Sequence, residues 1–257
     1  MNGAFYIGAT GLDAQQRALE VVANNISNLN TPAFRRSSVR FSELVATSRD
    51  AADMPLAGAD RSGSLSGVEV ASTAHIWSTG EVRQTGGAMD VAIQGDGFIE
   101  MMGPAGQVLL SRGGTLRVND DGYLAGSDGT PLRAMISVPQ GASQIAIGSD
   151  GVVSAMIAGD AAPREIGRID LAVARNPDAL VDHGGGYFEI GDDSDVVSAR
   201  PGDDGTGLLV QGALEQGNVN LSNEMVTLML VQRAYAANAQ VVQAGDQIMS
   251  IVNGLRR

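Results

Sequence analysis

The sequence predicts an α+β protein in which long N- and C-terminal helices flank a central antiparallel all-β domain. Three observations predict it: apolar residues recur every seven positions at both ends, short apolar or alternating runs fill the middle, and Asp-Gly pairs separate several of these runs. Of the 34 glycines, 28 lie between residues 45 and 214, where tight turns are expected. The length of 257 residues suits one large domain or two modest ones.

The N-terminal segment shows the first seven-residue series, which predicts a helix over residues 3–29. The apolar positions of this stripe are Phe5, Leu12, Leu19, Val22, Ile26 and Leu29. At 1.5 Å per residue the helix is roughly 40 Å long. Pro32 ends it, because the residue before a proline avoids the helical region.

The C-terminal segment shows an unbroken series, which predicts a helix over 221–255, roughly 50 Å long. Its members are Leu221, Leu228, Tyr235, Val242 and Met249. Asn220 or Ser222 can cap its start. Each stripe can pack on the chain's own core, or the two helices can pair with each other and with other subunits. We expect them to pair as a coiled-coil-like helical domain.

The middle of the chain predicts short strands joined by tight turns. The expected strands are 68–76, 90–93, 98–102, 108–110, 115–118, 133–138, 144–147, 152–157 and 166–173. Asp-Gly pairs, a strong hairpin signal, occur at 96–97, 121–122, 128–129, 150–151 and 204–205. We therefore expect three parts: residues 1–36 with 212–257 as a helical assembly domain, 37–75 as an extended connector, and 76–211 as the β-rich domain.

Composition excludes several kinds of chemistry. The chain has no cysteine, two histidines, and 17 basic residues that are all arginine. Disulfides, thiol catalysis, multi-histidine metal sites and lysine-based chemistry are therefore excluded. The polar clusters at 119–121 and 192–195 are expected to be solvated turns, and the second lacks the glycine and the closing glutamate of a calcium loop. We expect no catalytic residue, no metal, no cofactor and no enzymatic activity.

Charge and the N-terminus bear on partners and location. The net charge is −12, and residues 45–214 alone carry −13, which argues against nucleic acid and anionic membranes as partners. No apolar run reaches the length of a membrane span. The N-terminus has no cleavable secretory signal, so we expect either a cytoplasmic protein or export by a route without signal cleavage.

Residues 10–36 closely resemble the N-terminal signature of bacterial flagellar rod and hook proteins. The matching positions are Ala23, Asn24, Asn25, Ile26, Asn28, Asn30, Thr31, Phe34 and Arg35. Ala33 departs from the pattern, because the family usually has glycine there. We therefore expect the chain to leave the helix without the left-handed turn that glycine permits.

Two further segments extend the resemblance over nearly the whole chain. Residues 212–226 with 232–238 are similar to the C-terminal helix of the family, and residues 80–99 are similar to the start of its β domain. The motifs occur in the family's order. Residues 215–220 and 232–235 favour the distal rod section, whereas Thr31-Pro-Ala-Phe-Arg35 is nearer to a proximal rod subunit.

The resemblance implies a structural axial subunit of the flagellar basal body. Such a subunit is exported unfolded by the flagellum's own apparatus and polymerises into the rod, a drive shaft that crosses the periplasm and transmits torque to the hook. Implied partners are further copies of the chain, adjacent rod and hook subunits, the surrounding bushing ring and the export apparatus. Two other classes stay open: a self-contained β-rich binding module and an acidic periplasmic enzyme such as a glycan hydrolase.

The expected subunit interface follows the two helical stripes and the asparagine-rich motif. Amide side chains both donate and accept hydrogen bonds, so buried asparagines can fix the register between neighbours. Phe34 is expected to anchor the chain as it turns outward. The expected interface residues are Leu12, Leu19, Val22, Asn24, Asn25, Ile26, Asn28, Leu29, Asn30, Thr31, Phe34, Leu221, Met225, Leu228, Gln232, Tyr235, Asn238, Val242 and Met249.

Overall fold

A computed structural model of the chain describes residues 2–46, 64–157, 162–191, 195–203 and 205–255. The expected connector at 47–63 and the acidic pair Asp192 and Asp193 lie outside these ranges, as does the side chain of Met249. The chain forms two compact units. One, the helical unit, comprises residues 1–27, 37–76 and 220–257, and the other, the β unit, comprises 28–36 and 77–219.

The described residues of the helical unit form two helices and one antiparallel pair of strands. Its elements are α1 (Asn2–Ser27), β1 (Ser37–Ala46), β2 (Ser64–His75) and α2 (Leu221–Leu255). Both helices lie within two residues of their predicted bounds. α1 contacts α2 and both strands. Within the part of the chain that the structure describes, neither helix is apolar enough over a sufficient length to cross a membrane.

The segment that we expected to be an extended connector, 37–75, forms paired strands where it is described. β1 and β2 run antiparallel, with Ser37 opposite His75 and Ala46 opposite Ser64, and the register shifts at two points. Both strands contact α1. The sequence predicted only the second of these strands, because β1 mixes charged, polar and apolar residues without regular alternation.

The buried side of α1 consists of small residues rather than of the predicted leucines. It follows the line Gly8, Gly11, Ala14, Ala18, Val22 and Asn25. Leu12, Leu19 and Ile26 lie beside this line and are half-buried. The spacing of the prediction was therefore right, but the centre of the buried side was misplaced.

Small residues let the two helices approach closely. A Cβ atom added to Gly8 would lie 2.7 Å from Val242 Cγ2, and one added to Gly11 would lie 2.8 Å from Asn238 Nδ2. Real Cβ atoms do not come so near, so a side chain at either glycine would require its neighbour to move. Val242 is stiff because a β-branched residue in a helix has one strongly preferred rotamer. Gly8 is thus a packing position.

The β unit contains sixteen short strands in five antiparallel sheets over its described residues. The strands are β3 (Val82–Gln84), β4 (Asp90–Gln94), β5 (Phe98–Met102), β6 (Val108–Ser111), β7 (Gly113–Thr115), β8 (Arg117–Val118), β9 (Leu124–Ala125), β10 (Ala142–Ile147), β11 (Val152–Ile157), β12 (Arg164–Arg168), β13 (Leu171–Ala174), β14 (Val181–Gly184), β15 (Tyr187–Glu189), β16 (Val196–Ala199), β17 (Leu208–Gln211) and β18 (Ala213–Glu215). The largest sheet has the order β14-β15-β6-β5-β13-β16.

An aliphatic core and a smaller aromatic cluster stabilise this unit. The core includes Ile93, Ile99, Leu124 and Leu171, each at most 1% exposed. In the second cluster, the ring of Trp77 lies 4.9 Å from that of Phe188 and 5.8 Å from that of Phe98, in edge-to-face geometry. Since Trp77 is the only tryptophan in the chain, its fluorescence reports on the β unit.

Turn chemistry was predicted more reliably than individual strands. The glycine of every Asp-Gly pair has a positive φ, between 80° and 125°. The run 133–138, however, forms no named strand, and 166–173 spans parts of two strands. The strands after residue 180 are three or four residues long and were not predicted. Short strands depend on pairing partners that are distant in sequence, which periodicity does not reveal.

The structure contradicts the expectation for Ala33. Its φ is +58°, so alanine adopts the left-handed conformation that the family usually gives to glycine. The backbone N–H of Ala33 donates to Glu215 O at 2.8 Å, and the methyl group is buried. A left-handed conformation costs a non-glycine residue about 1–2 kcal/mol. Burial of the methyl group and the hydrogen bond to Glu215 offset that cost.

We expect valine and glycine at position 33 to have very different effects on the free energy of unfolding. Ala33→Val should lower the free energy of unfolding by more than about 2 kcal/mol, because a β-branched residue is strained at positive φ and overfills the site. Ala33→Gly should change it by less than about 1 kcal/mol. Glycine relieves the backbone strain, but it also loses the buried methyl group and gives the unfolded chain more conformational freedom, and these effects nearly cancel.

Urea denaturation followed by Trp77 fluorescence measures both variants. Ala105→Val, in an exposed turn of the same unit, is the matched control and should stay within about 0.5 kcal/mol of the parent. Equal destabilisation by glycine and valine at position 33 would contradict the assignment of strain to the backbone conformation.

Candidate functional site

The predicted interface residues are divided between the two units. In the helical unit, Val22 and Asn25 are buried, and the half-buried residues are Leu12, Leu19, Ile26, Leu228, Asn238 and Val242. Those exposed there are Asn24, Leu221, Met225, Gln232 and Tyr235. In the β unit, the half-buried residues are Asn28, Leu29 and Phe34, and the exposed ones are Asn30 and Thr31.

The Asn25 side chain forms three hydrogen bonds within its own chain. It is fully buried in the last turns of α1. Its Nδ2 donates to Ser37 O at 2.8 Å and to Glu224 Oε2 at 3.3 Å, while its Oδ1 accepts from Ser37 N at 2.9 Å. The amide thus holds the start of β1 beside α1 and contacts the first turn of α2. A role in subunit contacts stays a prediction for the asparagines at 24, 28 and 30.

The segment that follows α1 in the chain is bonded to the segment that precedes α2. Within the β unit, Arg36 N donates to Asn218 Oδ1 at 2.7 Å, and Asn218 N donates to Phe34 O at 3.3 Å. A Cβ on Gly217 would lie 3.3 Å from Phe34 Cβ, so glycine lets the two segments pack closely. The backbone and the Cβ of Phe34 therefore lie against residue 217 of the same chain.

A buried carboxylate lies at the centre of this arrangement. Glu215, in β18, is 1% exposed. Its Oε1 accepts from Arg35 Nη2 at 2.8 Å and from Gly80 N at 2.8 Å. Its Oε2 accepts from Arg112 Nε at 3.1 Å, and Arg112 Nη2 lies 3.0 Å away. Glu215 thus joins parts of the chain that are as much as 180 residues apart in sequence.

Arg112 extends the cluster to a glycine turn. Its Nη2 donates to Gly95 O at 2.8 Å, its Nη1 donates to Gly97 O, and its guanidinium carbon lies 5.7 Å from the centre of the Phe98 ring. Burial lowers the pKa of the Arg112 guanidinium, and attraction to Glu215 opposes that effect. Because a guanidinium is strongly basic, the group stays charged at neutral pH despite this lowered pKa.

The cluster brings together the three sequence motifs that carry the family resemblance. Arg35 belongs to the N-terminal motif, the glycines at 80, 95 and 97 to the central one, and Glu215 to the C-terminal one. We had not predicted Arg35, Arg112 or Glu215 as site residues, nor Glu224. No spacing rule pairs charges so far apart in sequence. The only available signal was the presence of Arg35 and Glu215 inside recognisable motifs.

We expect Glu215→Gln to destabilise the β unit by about 3–5 kcal/mol, because it leaves two buried guanidiniums without a counter-charge. Glu81→Gln is the matched control: Glu81 is exposed and close in sequence to the same sheet, so its substitution should change stability by less than about 0.5 kcal/mol. Urea denaturation monitored by Trp77 fluorescence compares the two. A loss below about 1 kcal/mol for Glu215→Gln would show that the cluster contributes little.

Family models match three successive parts of the chain. A model described as flagella basal body rod protein matches residues 5–35. The D1 domain of flagellar hook protein FlgE/F/G matches 92–155, and the C-terminal model of flagellar basal body rod FlgEFG protein matches 210–255. These regions include α1, much of the β unit and α2.

Individual relatives are similar over almost their full length. Flagellar basal-body rod protein FlgG of Buchnera aphidicola from Schizaphis graminum is 34% identical, over 98% of this chain and 99% of the relative. FlgG of Borreliella burgdorferi is 32% identical over all of both chains. Flagellar basal-body rod protein FlgF of Rhizobium meliloti is 27% identical, over 91% of this chain and 90% of the relative.

These names describe structural parts of the flagellar basal body and no enzymatic activity. The identity and coverage agree with the three motifs and with their convergence on Glu215. The chain therefore belongs to the flagellar basal-body rod protein family.

Proposed function

We propose that the chain is a structural subunit of the distal rod, which polymerises into the drive shaft that transmits torque across the periplasm to the hook. Family membership supports a rod subunit. Identities of 32–34% to FlgG proteins, against 27% to an FlgF protein, favour the distal section over a proximal one. The proximal rod is the alternative.

The observation that carries this proposal is an apolar side of α2 that the chain leaves exposed. Five aliphatic residues share this side of the helix, because they follow one another at spacings of 4, 11, 7 and 3 residues. They are Val226, Leu230, Val241, Ile248 and Ile251. Each is more than half exposed.

The inward side of α2 is different. It carries Glu224, Val231, Asn238 and Val242, which are buried or half-buried. Full burial of one large aliphatic side chain contributes about 1.5–3 kcal/mol. Contacts between copies over the exposed side therefore supply a strong drive for association. Head-to-tail contacts that do not close form an open filament, as a rod requires.

We further propose that both terminal segments become fully ordered only on assembly. With one side of α2 exposed, the helical unit buries less apolar surface than its helices offer. The polymer would pair them as a coiled-coil-like wall and bring in the adjacent rod and hook subunits. The acidic β unit would face the bushing ring. We propose that the flagellar apparatus exports the chain unfolded, which accords with terminal segments that order only on assembly.

We expect Leu230→Glu to raise the critical concentration for polymerisation at least about tenfold, because a charge in the apolar side removes one buried aliphatic contact per interface. Glutamate is a good helix former, so the isolated chain should keep its helicity. Sedimentation and electron microscopy measure polymer, and circular dichroism measures helicity.

Val181→Glu, at an equally exposed position of β14, is the matched control and should polymerise as the parent does. Normal polymerisation of the Leu230 variant would show that α2 does not form the interface through this side.

In cells that lack their own distal rod protein, the chain should restore swimming. Restoration only in cells that lack a proximal rod protein would favour the alternative.

Limited proteolysis of the monomer, read by mass spectrometry, tests the ordering of the ends. We expect rapid cleavage within α1 and α2 and survival of the β unit with its residues 28–36, because helices that leave apolar surface exposed open locally and are cut first. The polymer should resist cleavage at both ends. Full protection of both ends in the monomer would favour a self-contained β-rich binding module.

A further inference from the structure

A pocket of about 290 Å³ opens in the β unit beside the Glu215 cluster. Its lining includes Arg35, Arg112 and Arg175 together with the rings of Trp77 and Phe98. Such a lining combines fixed positive charge with apolar walls. The volume is several times the ~30 Å³ that one water molecule occupies in the liquid. Neither the family resemblance nor the proposed assembly surface accounts for it.

Arg35 is the unusual member of this lining. It is 2% exposed, and its Nη2 donates to Glu215. Its Nε and Nη1 are buried and have no hydrogen-bond partner among the described residues. A buried donor on a charged group that lacks an acceptor is costly, and more so in a low-dielectric interior. The site therefore favours a ligand that supplies an acceptor.

The buried charges are also unbalanced. Arg35 and Arg112 are two cations, and among the described residues Glu215 is the one carboxylate bonded to them. Asp96 lines the pocket but is exposed to solvent. Arg175, at the rim, pairs with Asp195 at 3.1 Å, and both side chains are well exposed, so solvent weakens that pair. One positive charge thus remains buried, in a chain whose net charge is −12.

We propose that this pocket binds a carboxylate on a short aliphatic stem. The carboxylate displaces the groups that cover the free nitrogens of Arg35, accepts from those nitrogens and balances the excess charge, while Trp77 and Phe98 contact the stem. Arg175 attracts the anion at the rim. Charge-assisted bonds from arginine to carboxylate are among the strong ones, which gives the site its selectivity for anions over amides.

Glutarate and glutaramide form a matched pair of probes, because they share size and shape and differ in charge. At constant ionic strength, glutarate should change Trp77 fluorescence of the monomer saturably in the millimolar range. Glutaramide should give no saturable change. No saturable response to glutarate, or an equal response to both, would overturn the proposal.

Two variants test the assigned residues. Arg35→Lys keeps a cation for Glu215 but removes the free guanidinium nitrogens, so glutarate affinity should fall at least about tenfold. Arg175→Gln leaves the buried cluster intact and should weaken binding roughly two- to fivefold, the scale of an exposed ion pair.

Arg133→Gln is the control, because Arg133 also forms a surface pair, with Glu100 at 2.9 Å, and does not line this pocket. It should bind glutarate as the parent does. If Arg35→Lys fails to fold, the glutarate affinities of Arg175→Gln and Arg133→Gln test the proposal instead. Equal affinities for these two variants would overturn the proposal.

The same carboxylate chemistry can come from an acidic side chain of a second copy or from a small free acid. Telling these two sources apart rests on the proposed polymerisation, whereas the titration of the monomer with glutarate is independent of it. If a second copy supplies the acid, the polymer should show the ligand-bound Trp77 signal without added glutarate and should not respond to it. If the source is free, polymer and monomer should titrate alike. Absence of polymer would count against the proposed function alone.

Discussion

One buried carboxylate organises the β unit. Glu215 accepts hydrogen bonds from two arginines and one backbone N–H, and its own backbone oxygen accepts from Ala33. Moving a carboxylate out of water is expensive unless charges and donors replace the lost hydration. The segments that carry these donors are therefore constrained to meet at this point. The turn after α1, the strand β3 and the glycine turn at 95–97 all take their positions from it.

The same constraint explains the unusual backbone at Ala33. Its left-handed conformation directs its N–H to Glu215, and the next residues carry the guanidinium of Arg35 to the same carboxylate. Local strain of this kind persists only where the surroundings determine the conformation. The Glu215 cluster fixes the backbone conformation at position 33, so alanine can replace the glycine that the family usually has.

The helical unit follows a different principle. Its closest packing uses glycine and alanine on α1, which lets the helices approach without large interlocking side chains. Five large aliphatic residues of α2 are instead left on its surface: Val226, Leu230, Val241, Ile248 and Ile251. A monomer that exposes so much apolar side chain is typical of a protein made to associate. Packing inside the chain and the proposed contacts between copies thus use different sides of one helix.

The sequence by itself determined the fold class, both helices and the left-handed glycines of the Asp-Gly turns, because periodicity and turn chemistry are local properties. It also determined the family, through three motifs. Only the tertiary structure decided which side of α1 is buried, the pairing of β1 with β2, and the Arg35–Glu215–Arg112 cluster. These features depend on contacts between residues up to 180 positions apart, and no local pattern specifies such partners.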